Sequence, residues 1–77
     1  MTKKTALNEY MERHGLTRYR ISKETDVSES TLQTAFNKDL DRCSIRVLRA
    51  VSVSAEVPLG DLIEELIAIE DEIKRND

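Results

Sequence analysis

The sequence predicts an all-α fold, a compact domain of five helices in which helices two and three form a helix-turn-helix. Three observations predict it. Residues suited to capping a helix start, Thr5, Thr17, Ser28 and Ser44, each stand directly ahead of a run with apolar residues at three- and four-residue spacing. Two of those start signals lie so close together that only a turn of three or four residues fits between the helices they open. Finally, only one stretch alternates with the period of a strand, and nothing else in the chain could pair with it.

Taken in order, the first helix is expected over about 6–14, where Leu7, Tyr10, Met11 and His14 recur behind Thr5 and Gly15 is placed to end the helix in the left-handed conformation. In "LTRYRI", Thr17 caps the second helix, and Leu16 just before the cap meets Ile21 as a hydrophobic staple. The device repeats in "VSESTL", where Ser28 caps the third helix and Val27 staples to Leu32. Ile45, Leu48, Val51, Ser52 and Ala55 predict a fourth helix behind Ser44. Within it "VSVSAEV", Val51 to Val57, is the alternating stretch; lacking a partner strand, it is read as helix. The fifth helix should run from about Leu59 or Gly60 to Lys74, with Leu62, Leu66, Ile69 and Ile73 in one stripe, Ile63 and Ile67 beside it, and Pro58 at the start, where its missing N–H costs nothing.

At 77 residues the chain makes one small domain, 1–77, ending in an acidic helix at about 60–75. A single cysteine, Cys43, allows no intramolecular disulfide, and a single histidine, His14, makes no zinc site of the usual kind. No metal or cofactor is expected. No apolar run is long enough for a signal peptide or a membrane span, so a soluble, cytoplasmic protein is expected. The formal charge of -3 is unevenly spread. Residues 1–49 hold ten Lys and Arg against seven acids, a net +3, and residues 50–77 hold two against eight, a net -6. Charges more than about 10 Å from a contact face are largely screened at physiological salt, so the acidic tail leaves room for a polyanionic ligand at the other end.

These elements resemble the Cro and phage-repressor type of helix-turn-helix protein (the XRE family), over about Leu7 to Leu66. Ile21, Ser22, Val27 and Leu32 fill the apolar, small and turn-flanking places of that pattern, Ala35 is the small inward residue of the third helix, and "SIRVLRAVSVSAEVPLGDL" resembles the family's fourth helix and its turn into the fifth. Two places depart from it: Asp26 stands where members often have a glycine in the left-handed conformation, and the loop "NKDLDRC" lacks one.

The resemblance implies a lambda-repressor-like fold and a sequence-specific regulator of transcription, a repressor, that reads the DNA major groove with its third helix. On that helix Leu32, Ala35 and Phe36 face one way, and Glu29, Ser30, Gln33, Thr34 and Asn37 the other. Carried over, the base contacts fall on Glu29, Ser30, Gln33 and Thr34. Gln can bond adenine through two hydrogen bonds, Ser and Thr can bond several bases, and Glu can accept from cytosine N4. Phosphate contacts fall on Arg18, Asn37, Lys38 and Arg42, with Arg20 and Lys23 behind them. Tyr10 and Tyr19 are expected at core edges with their hydroxyls in water, and His14 as an ordinary residue of the first helix. A homodimer on a palindromic duplex is expected, its interface formed by Leu66, Ile69 and Ile73.

No nucleophile and base can be paired, and the acids Glu64, Glu65, Glu70, Asp71 and Glu72 read as solvated helix faces, so no enzyme is expected. The competing function is a protein-interaction module, an antitoxin or antirepressor, gripping a protein partner through the C-terminal helix.

Overall fold

The structure, a computed structural model, describes residues 4–75. Its helices are α1 (Ala6–His14), α2 (Arg18–Glu24), α3 (Glu29–Phe36), α4 (Ile45–Ala55) and α5 (Leu59–Arg75), with a 3-10 turn at Leu40–Arg42 between α3 and α4. There is no strand among the described residues, and the alternating stretch is helical through Ala55.

All four expected caps form. The side-chain oxygen of each accepts the backbone N–H three residues on: Thr5 from Asn8 at 3.2 Å, Thr17 from Arg20 at 3.1 Å, Ser28 from Thr31 at 3.2 Å and Ser44 from Val47 at 3.3 Å. Each bond satisfies an N–H that the helix itself leaves open, typically at a gain of about 1 kcal/mol. At the other end of α1, Gly15 is left-handed (φ 63°), and Leu16 N–H returns to the Met11 carbonyl at 2.9 Å. A second left-handed residue, Glu56 (φ 59°), ends α4 without the freedom of glycine.

The turn between α2 and α3 departs from expectation at Asp26. Among the described residues only Gly15 and Glu56 have positive φ, so Asp26 is not left-handed. Thr25 closes the turn instead: its hydroxyl donates to the Ile21 carbonyl at 2.7 Å and accepts the Val27 N–H at 3.3 Å. Arg46 reaches across from α4 to donate to the Asp26 carbonyl at 3.5 Å. A threonine hydroxyl here supplies the chain reversal that a glycine supplies elsewhere.

α5 packs across α1 and α4, while α2 packs on α3 and α4. The side chains sealed between them are Leu7, Tyr10, Ile21, Leu32, Phe36, Val51, Leu62, Leu66 and Ile69. Both staple pairs, Leu16 with Ile21 and Val27 with Leu32, are buried in this cluster.

Two expectations fail in this core. Leu66 and Ile69, expected at a dimer interface, are 0% and 1% exposed, and Ile73 packs partly against the same cluster. The stripe is spent inside its own domain because a five-helix core of this size needs α5 as its lid. Tyr10 is 1% exposed rather than at a wet edge, and burial pushes its phenol pKa up, with the Glu65 carboxylate adding to the shift. Around this seam His14 stacks on Tyr10, ring centroids 4.2 Å apart, and its Nε2 lies 2.7 Å from the Glu65 carboxylate. About two turns further along α5, Arg13 bonds Glu72 at 2.9 Å.

Candidate nucleic-acid interface

The outward face of α3 is set by what the helix buries. Leu32, Ala35 and Phe36 are within the core, which turns Glu29, Ser30, Gln33 and Thr34 outward, all exposed. The side chains of Glu29, Gln33 and Thr34 have no partner among the described residues, and Ser30 makes only a long hydroxyl contact to Ser28 at 3.4 Å. Ser28 itself is committed to Thr31, whose backbone N–H it accepts and whose hydroxyl lies 2.9 Å away. The donors and acceptors that could meet base edges are therefore free and presented together.

Ser30 and Thr34 line one wall of a surface groove completed by Thr31, Lys38, Arg42 and Ser44. Two of the expected phosphate contacts, Lys38 and Arg42, are thus brought beside the exposed face of α3 by the loop that follows it. Among the described residues neither makes an ion pair, nor does Arg18 at the start of α2, whereas Arg13, Arg20 and Lys74 each pair with a glutamate. Among the described residues Arg49 and Arg75 likewise make no ion pair, so the pattern alone does not define the site. Arg18 does not line the groove; it stands half-buried at the N-terminus of α2. Arg20 is held by Glu24 at 3.4 Å, and Lys23 lies over the Tyr19 ring, 5.4 Å from its centroid. Asn37, expected at a phosphate, caps the end of α3, with its side-chain amide donating to the Gln33 carbonyl at 3.1 Å.

The pose of α3 is fixed from α1. Its last carbonyl, that of Phe36, accepts from the buried hydroxyl of Thr5 and from the Asn8 amide at 3.3 Å. Thr5 hence caps α1 and anchors α3 at once. The following loop is tied down twice more: Cys43 Sγ donates to the Ala35 carbonyl at 3.5 Å, and Leu40 N–H donates to Glu70 of α5 at 2.9 Å. Burial pushes the Cys43 thiol pKa up, against the pull of Lys38, so this cysteine is a packing group with a weak donor rather than a reactive thiolate. The roles of Glu70 and of Thr5's second bond were not legible in spacing, because each joins residues whose proximity only the tertiary fold creates; Thr25 bonds within its own turn, where a threonine hydroxyl has several local partners to choose from.

A two-faced helix held over the core by a short turn, with free polar side chains outward and unpaired cations beside it, is the arrangement of a helix-turn-helix DNA-binding domain. The family model described as the Cro/C1-type HTH DNA-binding domain matches residues 6–65, and the chain belongs to that family. Searches of curated proteins and of solved structures gave no significant match. Among the described residues no helix is long and apolar enough to cross a membrane, and no cluster of His, Cys, Asp or Glu could hold a metal ion.

Proposed function

We propose that the protein is a sequence-specific regulator of transcription, acting as a repressor by occupying an operator, with α3 in the major groove. The observation that carries this reading is the exposed face of α3, on which Glu29, Ser30, Gln33 and Thr34 have almost no partners of their own. Exposed to water, such a face costs nothing to leave idle, and it is what base-edge recognition needs. Gln33 suits adenine, and Ser30 and Thr34 suit a thymine methyl or a base acceptor. Glu29, repelled by phosphates, suits a cytosine N4–H and penalises other bases. Lys38, Arg42 and Arg18 supply phosphate contacts that orient the domain, and Asn37 adds at most what its capping bond leaves over.

One such domain makes few contacts, and we read the active form as a homodimer on a palindrome with half-sites about 34 Å apart. The principal extents of 34 × 28 × 22 Å let one domain occupy each half-site. Its interface lies outside Leu66 and Ile69, which fill the core. The same burial removes the apolar stripe that an antitoxin or antirepressor would have used on a protein partner, which favours DNA as the ligand.

Selection of bound sites from random duplexes, at low salt and high protein concentration, tests the proposal. A recovered palindromic consensus is expected; recovery of no preferred sequence contradicts it.

A further inference from the structure

The 3-10 turn Leu40–Arg42 begins without a cap of its own. Asp39 stands at its N-cap position but makes no side-chain cap bond. The acceptor comes instead from α5, 30 residues further along the chain: Glu70 Oε2 takes the Leu40 N–H at 2.9 Å. Glu70 is well placed for this. Its side chain is 17% exposed, and its other oxygen meets Lys74 Nζ at 3.4 Å, so both carboxylate oxygens are engaged. A charged acceptor on a backbone N–H makes one of the stronger hydrogen bonds available to a loop. The loop so tethered carries Lys38 two residues before the bond and Arg42 two residues after it, and both line the groove beside the reading helix.

We infer that Glu70 is a positioning residue for DNA binding, in which a carboxylate on the acidic helix caps the loop after α3 and thereby holds Lys38 and Arg42 against the phosphate backbone. The inference rests on the DNA-binding reading and deepens it. A side chain of the acidic tail would then strengthen binding to a polyanion through the acceptor oxygen it offers, the reverse of what its charge alone dictates.

That reversal makes the test clean. Glu70→Ala removes the acceptor, and Glu70→Gln removes the charge but keeps an acceptor oxygen. With a duplex that the parent prefers, Glu70→Ala should bind more weakly at every sequence alike. Its log-log salt slope should fall by about one to two, one per lost phosphate contact, with the preferred sequence unchanged. Glu70→Gln should bind nearly as the parent does. If both variants bind as tightly as the parent or tighter, Glu70 acts only as a bulk charge and the inference falls. If both weaken equally while folded, the capping role falls as well. Should Glu70→Ala fail to fold, amide hydrogen exchange on the parent protein decides: Leu40 N–H protected like a helix amide supports the tether, and exchange at the rate of an open loop overturns it. A parent protein that binds no duplex would overturn the DNA reading itself, whereas a binding parent with an unaffected Glu70→Ala overturns the inference alone.

Discussion

The hydroxyl of Thr5, at the start of α1, donates to the carbonyl of Phe36, at the end of α3, across a separation of 31 residues. Thr5 is 7% exposed and its oxygen also accepts the Asn8 N–H at 3.2 Å, so one side chain both starts α1 and fixes where α3 ends.

Replacing Thr5 by valine keeps the shape and removes both bonds. Loss of a helix cap and of a buried hydrogen bond, each about 1 kcal/mol, predicts a destabilisation of about 2 kcal/mol, tempered by the Asn8 amide that remains on the Phe36 carbonyl. Thr5→Ser should recover most of it. Urea unfolding of the three proteins checks this, and equal midpoints for the valine variant and the parent would remove the anchor from the account.

The burial of Ile69 predicts that aspartate there unfolds the protein. Leu66→Ala, which leaves a cavity among fully buried neighbours, should cost about 2 to 5 kcal/mol. Circular dichroism of Ile69→Asp should show lost helix, since an unpaired buried carboxylate has no partner in that core. A folded, monomeric Ile69→Asp would instead return the stripe to the surface.

Glu56 holds a left-handed backbone that glycine adopts without strain, and it is exposed. Glu56→Gly should therefore stabilise the domain by about 0.5 to 1 kcal/mol, the relief of the strain exceeding the entropic cost of glycine. Thermal melting of the two proteins measures the shift, and a lowered Tm would show that the end of α4 is held by something other than its backbone conformation.

Local chemistry was legible in the sequence, and long-range chemistry was not. Thr5, Thr17, Ser28 and Ser44 each act on an N–H three residues away, so spacing alone locates them, and with them the ends of four helices. The two faces of α3 follow from the same periodicity. The stripe Leu62, Leu66, Ile69, Ile73 shows equally well in the sequence, but periodicity says that a face is apolar and not what covers it. Here α1 and α4 cover it, leaving Leu66 with no exposure at all. The turn after α2 is the local exception: the family pattern draws the eye to Asp26, while Thr25 beside it closes the turn through a back-bond to the Ile21 carbonyl, one of several local bonds a threonine can make. Glu65, Glu70 and Glu72 read as solvated acids until the fold set His14, Leu40 and Arg13 opposite them.

The central claim is that α3 reads bases while the loop after it holds phosphates, and paired binding isotherms of Gln33→Ala and Lys38→Ala over a panel of single-base operator variants and several salt concentrations test it most directly. The account predicts that Gln33→Ala loses about 1 to 3 kcal/mol on the preferred duplex and becomes indifferent at one base position, with an unchanged salt slope. Lys38→Ala should weaken all duplexes alike and lower the slope by about one. Unchanged base preference in Gln33→Ala, or an unchanged slope in Lys38→Ala, would contradict it.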